Sequence, residues 1–330
     1  MQRLRVVKLL HPHVLANYNS TFPASSFGAL PIPNRPTLGR RFPFFLIRNV
    51  SVPTSSISAR KPVIMEENRV QLLSSDDDHY GGVLVNMKHP MDSNAFSTLL
   101  KASIQQWKQQ GKRGVWIKLP IEQVNLVEAA VKEGFRYHHA EADYLMLVYW
   151  IPKTIDTLPA NASHRVGIGA FVMNSQRQVL VVMENSGKFK GTGVWKFPTG
   201  VVNEGEDICT AAVREVKEET GIDTEFVEVL AFRESHKSFF SKSDLFFVCM
   251  LQPRSFDIQK QNQEIEAAQW MPVEDYAAQP FIREHEQFNY IAKICLAKLG
   301  KDYAGFSRIS AATVSGKTNS LYGSNLGNQQ

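Results

Sequence analysis

Glu215, Glu218 and Glu219 stand at i, i+3 and i+4, the spacing that brings side chains together on one face of an α-helix. Three like charges within a turn destabilise an isolated helix by roughly a few tenths of a kcal/mol per close pair, so a cation has to offset them. A hard divalent ion does this with oxygen ligands, and Mg²⁺ typically takes one or two carboxylates together with substrate phosphates. Arg214 is placed to pair with Glu218 four residues on and to hold it in orientation. The competing reading of the EVKEE run is a solvated acidic helix face.

The flanking residues decide between the two. The segment 200–222 reads GVVNEGEDICTAAVREVKEETGI. Gly200, Asn203 and Gly205 make its start turn-rich, Asp207 is a predicted N-cap and Gly221 a predicted C′ residue, so the spacing predicts one helix over 208–220. On it Ile208, Cys209, Ala212, Val213 and Val216 form an apolar stripe beside the carboxylates, so the helix can sit in a core and still show its acids to a cleft. With Gly200, Glu206, Arg214-Glu215-Val216, Glu218-Glu219 and Gly221-Ile222 all fixed in kind, a chance match is on the order of 10⁻⁸.

These residues resemble a Nudix box at each of its defining positions. The runs GTGVWKFPTG (191–200) and EIEAAQWMP (264–272) also resemble that family, particularly its plant members with a preceding domain. The resemblance implies an α/β (α+β) fold: a Nudix α/β/α sandwich with a mixed sheet, preceded by a small acetyltransferase-like α/β domain. It implies Mg²⁺ or Mn²⁺ held by Glu215, Glu218 and Glu219, with the Gly200 carbonyl as a further ligand. It implies hydrolysis of a nucleoside diphosphate linked to another moiety. Arg214 then orients Glu218, and Glu206 steadies loop and helix by pairing with Arg214 or a neighbouring group. The general base is either a box glutamate or an acid on a later loop, which falls on Glu264 with Glu266 as alternate. The plant members suggest ADP-ribose or NADH as substrate, cleaved to AMP and a phosphorylated remainder. Phe239 and Phe240 are candidates to stack on a base, with Arg233, His236 and Lys237 near the anions; ordinary loop chemistry accounts for each equally well. Two other readings stay open: removal of RNA caps or 5′ diphosphates, and a non-catalytic regulatory binder on the same fold.

The net charge of +5 does not mark a nucleic-acid binder. Of 37 Lys and Arg, nine fall in residues 1–65, which hold no Asp or Glu, leaving 28 basic residues against all 32 acidic ones from Glu66 onward. That body is net −4, with no broad basic field to collect phosphates. Residues 1–65 also carry seven Ser and eight Pro. A basic, Ser-bearing, acid-free leader reads as an organellar transit peptide, for chloroplast or mitochondrion, with a disordered extension as the alternative. Met65 offers an alternative start and a cytosolic form. No apolar run approaches the ~20 residues of a membrane span. Cys209, Cys249 and Cys295 lack metal spacing and suit a reducing compartment.

In order, residues 66–150 predict a small α/β domain after a linker-like start with a strand near 70–73. Its strands are 83–87, 114–119, 135–139 and 143–150, with helices over 92–110 and 121–132. Asp76, Asp77 and Asp78 read as a solvated turn. His138 and His139, adjacent on a strand, are expected on opposite sides. No glycine-rich phosphate loop supports acetyl transfer, and packing or homodimerisation is the expected role. Residues 151–164 read as a linker and 165–300 as the Nudix domain. There 165–174 and 178–184 are expected as a hairpin, 186–193 as a basic loop that lies over phosphates or is a solvated turn, and Lys196 is a candidate for the site. Strands 225–235 and 244–253 joined by a loop, a strand over 263–271 and helices over 273–278 and 282–299 follow. Residues 301–330, rich in Ser, Gly and Asn, are expected to be a disordered tail.

Overall fold

A computed structural model describes residues 71–313 and 316–324 of the 330. The transit-peptide reading of residues 1–65 and Val70 of the expected first strand lie outside the described residues. The chain divides into two compact units near residue 161.

In the first unit, strands β1 (Asp76–Asp77), β2 (Val83–Asn86), β3 (Gly114–Pro120), β4 (Arg136–Ala140) and β5 (Tyr144–Trp150) form one sheet in the order β1-β2-β3-β5-β4. β2 and β3 are parallel, joined by helix α1 (Ser93–Gln109). Asp92 caps that helix by accepting from the Asn94 and Ala95 amides, as its residue type predicts. Its Phe96, Leu100 and Trp107 pack with Val115, Ile117 and Leu147 in the core. The helix expected over 121–132 is a 3₁₀ segment, Ile121–Leu126, followed by α2 (Val127–Lys132). Of the turn expected at Asp76, Asp77 and Asp78 only Asp78 takes part, accepting from the Tyr80 and Gly82 amides, because Asp76 and Asp77 pair with β2 as a short strand.

The expectation for His138 and His139 needs correction. β4 carries a register shift between Tyr137 and His139, which breaks strand alternation and brings the two Nδ1 atoms to 2.6 Å. His138 Nε2 donates to the Pro159 carbonyl, and His139 Nε2 meets the Tyr144 hydroxyl.

In the second unit, β6 (His164–Val172), β8 (Thr199–Val201), β9 (Thr224–Phe239), β10 (Lys242–Pro253), β12 (Phe306–Ala312) and β13 (Thr318–Gly323) form a sheet in the order β13-β12-β9-β10-β6-β8. β10 and β6 are parallel and the other pairs antiparallel, so the sheet is mixed. Strands β7 (Gln178–Glu184) and β11 (Ile265–Pro272) pair with each other. Helix α3 (Ile208–Thr220) buries Ala211, Ala212 and Val216 against Ile168, Ala170, Val229 and Leu251. A separate apolar cluster joins Phe171, Val181 and Leu230 to helices α4 (Val273–Ala278), α5 (Pro280–Glu284) and α6 (Glu286–Leu299). Neighbouring strand residues feed opposite clusters, as a sheet between helical layers requires.

Four expectations for this unit give way. β6 and β7 touch through a single bridge, Met173 to Val179, because β8 and β10 already occupy the two edges of β6. β9 and β10 run through the expected loop to a two-residue turn at Phe240 and Ser241. The last helix breaks at His285, whose φ of −107° and ψ of 106° are extended. The tail is not disordered as a whole: β12 and β13 form a hairpin, and Phe306 and Tyr322 pack on the cluster under α3.

Candidate active site

α3 begins and ends where the sequence places it. Asp207 has extended N-cap angles, and Gly221 takes the left-handed conformation, φ 74°, that glycine adopts without strain. Asp207 makes no capping bond, however: its carboxylate accepts from Arg308 at 3.2 Å and from Ser320 at 3.1 Å, on the C-terminal hairpin.

One cation organises the acids of this helix. Arg214 donates to both oxygens of Glu206, from Nε at 2.7 Å and from Nη2 at 2.8 Å, and Nη2 also reaches the Val201 carbonyl at 2.9 Å. Its Nη1 meets Glu215 Oε1 at 2.8 Å and Glu218 Oε2 at 3.4 Å, the i, i+4 pairing that the spacing predicts. Glu206 closes the loop before the helix by accepting from the Asn203 amide. The Arg214 bond holds the Glu206 carboxyl below its usual range, and Glu206 in turn raises the guanidinium pKa.

The three glutamates differ in burial. Glu215 is 1% exposed and Glu219 5%, while the Glu218 side chain is 58% exposed. Beside Glu215 runs Gly200, where an ideal Cβ would lie 1.8 Å from the Glu215 carboxyl carbon. Glycine is required at 200 by this close approach: any side chain would displace the buried carboxylate.

A divalent cation fits these residues in donor chemistry and in this cradle. The donors are all oxygens, as Mg²⁺ and Mn²⁺ prefer, and Gly200 leaves its backbone against a carboxylate. Among the described residues no three His, Cys, Asp or Glu side chains form a ready-made metal cluster.

Gly200 also lines an open cavity of about 260 Å³ between strands β6, β8, β9 and β10 and helix α6. Phe239 and Arg233, named from the sequence, line it, and so does Lys196. Lys188, on the basic loop, lines it too, and Phe189 anchors that loop edge-on to Phe281 at 5.2 Å. Three expected contacts do not reach it: Lys237, which is exposed on β9, Phe240 and His236. Phe240 is 80% exposed at the hairpin turn, because β9 and β10 pair up to Phe239 and Lys242 and leave Phe240 at the tip. His236 points to Ser243 Oγ at 2.9 Å on the hairpin surface.

Glu264 lies just before β11, outside the cavity lining but tied to both sides of the site. Its carbonyl accepts from the Asn185 amide, one residue past Glu184 of the cavity. Its carboxylate accepts from Gln261 Nε2 at 2.9 Å, and the Gln261 amide donates to the carbonyl of Glu219. The expected alternate, Glu266, is exposed; the register shift between Ile265 and Ala267 breaks the alternation that would align it with Glu264.

Sequence reasoning missed Arg165, Glu184 and Asp244 in the cavity. Glu184 pairs with Lys196, and Asp244 lies 3.5 Å from Arg233. The Arg165 guanidinium sits 4.4 Å from the Phe239 ring centroid. All three are charged residues near an end of a largely apolar strand, which is not a motif that singles them out.

Comparison with known proteins agrees with this geometry. Residues 73–151 match the description "Nudix hydrolase domain" and residues 163–293 match "NUDIX domain". The chain is 62% identical over 260 residues to Nudix hydrolase 2 of Arabidopsis thaliana, covering 78% of this chain and 93% of that one. It is 59% identical over 244 residues to Nudix hydrolase 10 of the same plant, covering 74% and 86%. Against mouse nucleoside diphosphate-linked moiety X motif 6 it is 40% identical over 213 residues, covering 62% and 67%. The chain therefore belongs to the Nudix hydrolase family, whose enzymes split pyrophosphate linkages and generally use divalent metals.

Proposed function

We propose that this chain is a Mg²⁺- or Mn²⁺-dependent hydrolase of ADP-ribose or NADH that releases AMP and a phosphorylated remainder. The observation that carries the reading is the position of Gly200, which touches the buried carboxylate of the acidic helix on one side and lines the cavity on the other. The α3 carboxylates are not themselves in the cavity lining, so a pyrophosphate would lie at Gly200, next to the acidic helix, with the groups attached to it against aromatic walls.

Glu215, Glu218, Glu219 and the Gly200 carbonyl are the residues that would hold the cation. A cation held there would supply charge neutralisation to the phosphate oxygens and lower the pKa of a water so that it could lose its proton. Arg214 fixes Glu218, and its two bonds to Glu206 keep the preceding loop in place. Either Glu218 or Glu264, the latter outside the cavity lining, takes the proton from the attacking water. Arg165 and Lys188 have no carboxylate partner among the described residues, and both are positioned to bind substrate phosphate. Phe239 supplies a face for a base.

The test is a hydrolysis screen of the full chain with Mg²⁺ or Mn²⁺ against ADP-ribose, NADH, coenzyme A, FAD, diadenosine polyphosphates and capped RNA. AMP from the first two supports the proposal, and activity confined to capped RNA overturns it. We also infer that residues 1–65 direct the protein to an organelle; a fluorescent protein fused behind them that stays in the cytosol would refute this.

A further inference from the structure

Asp244 enters the cavity as the last member of a stack that begins on β6. An ideal Cβ on Gly169 would lie 2.9 Å from the ring of Phe246, and one on Gly167 would lie 3.1 Å from it. The two glycines thus leave room for the Phe246 ring to lie against the strand. Above that ring sits Arg233, its guanidinium carbon 4.8 Å from the centroid. Arg233 Nη1 donates to Ser235 Oγ at 3.0 Å, and Nη2 faces Asp244 Oδ2 at 3.5 Å. Burial pulls the guanidinium pKa down while Asp244 opposes the shift.

This stack holds a carboxylate at the cavity wall with its capacity largely unspent. The Asp244 side chain is 23% exposed, lines the cavity, and among the described residues meets no donor other than the long contact to Arg233. A carboxylate has about four acceptor positions, so it can still take bonds from a ligand. The hairpin bearing it turns through Phe240 and Ser241, whose φ of 42° and 66° are those a two-residue hairpin turn requires. A register shift follows between Lys242 and Asp244.

We propose that Asp244 determines specificity by accepting a hydrogen bond from the nucleoside of the substrate, from either an exocyclic amine of the base or a ribose hydroxyl. The inference rests on the nucleotide-hydrolase reading above and names the group that this site selects. Arg233 acts through Asp244 as a positioning residue, with Phe246 as its platform.

Asp244→Asn and the parent are compared on ADP-ribose, its hypoxanthine analogue, which carries a carbonyl in place of the amine, and its 2′-deoxyadenosine analogue. The parent should prefer ADP-ribose to one analogue by about tenfold in kcat/KM, the expected weight of a bond to a charged acceptor, and the analogue disfavoured names the donor. Asp244→Asn should reduce that preference to about twofold, chiefly through KM. A parent that takes all three alike, or an unchanged preference in the variant, overturns the proposal. Should Asp244→Asn melt below the assay temperature, Asp244→Glu keeps the charge and moves the acceptor: a shifted preference supports the assignment and an unchanged one overturns it. If the parent hydrolyses none of the three, the nucleotide-hydrolase reading fails. The binding claim is then decided by the rise in melting temperature with ADP-ribose: loss of that rise in Asp244→Asn supports it, and an equal rise or none in the parent overturns it.

Discussion

Replacing Arg214 with Met keeps much of the side-chain stem and removes the charge on which the acidic helix converges. The variant loses two bonds to Glu206, one to Glu215, one to the Val201 carbonyl and the longer contact to Glu218. Glu218 is largely exposed, so its share is at most about 0.5 kcal/mol. Glu215 dominates, since at 1% exposure its carboxylate would lose a counter-charge inside the protein. Breaking a buried pair costs about 3–5 kcal/mol, and Arg214, a quarter exposed, places this one near 3. For a domain of this size each kcal/mol moves Tm by about 2–4 °C, which gives a fall of about 6–12 °C. Calorimetry of the full chain reads this on the second unit's transition. Adding Glu215→Gln removes the stranded charge and should recover at least half the loss. A double variant no more stable than Arg214→Met, or a single variant within about 2 °C of the parent, would refute this electrostatic reasoning.

Three further outcomes follow from the same geometry. The lowered pKa of Glu206 means that its pairing stabilises the protein above the ordinary carboxylate range and is lost as pH falls through a folded-state value below 4.5. The stability gap between the parent and Glu206→Gln, measured by chemical denaturation, should therefore be full near pH 7 and close as pH falls through the lowered folded-state value. Phe306→Ala, which cuts into the cluster under α3, should lower stability by about 2 kcal/mol, whereas a tail without structure would leave the melting curve unmoved. Phe239→Ala should raise KM for ADP-ribose about tenfold through loss of a stacking face, and Phe240→Ala, at an exposed tip, should leave KM within about twofold; equal effects would contradict the placement of the two rings.

The helix was legible because its chemistry is local. Cap positions, the i, i+4 pairing of Arg214 with Glu218 and the left-handed Gly221 follow from neighbours within a few residues, and the structure places them there. What went unread depends on partners distant in sequence. β7 pairs with β11 because the edges of β6 are taken, which no pattern in residues 165–184 reveals. His138 and His139 meet because a bulge interrupts alternation. The C-terminal hairpin has few large apolar residues and depends on Phe306 and Tyr322 reaching the cluster beneath α3, so its composition alone resembled a tail. Asp244 and Arg165 carry no local motif and gain meaning only where parallel pairing sets β6 beside β10.

The central claim is that the acidic face of α3 gathers divalent cations for pyrophosphate hydrolysis. It is tested most directly by AMP release from ADP-ribose by the metal-stripped full chain, before and after Mg²⁺ or Mn²⁺ is restored, in the parent and in Glu218→Gln. Metal should restore turnover in the parent, and Glu218→Gln, at an exposed position that leaves the fold intact, should run about 10²-fold slower or less with an unchanged melting curve. Turnover independent of metal, or a Glu218→Gln variant as fast as the parent, would contradict it.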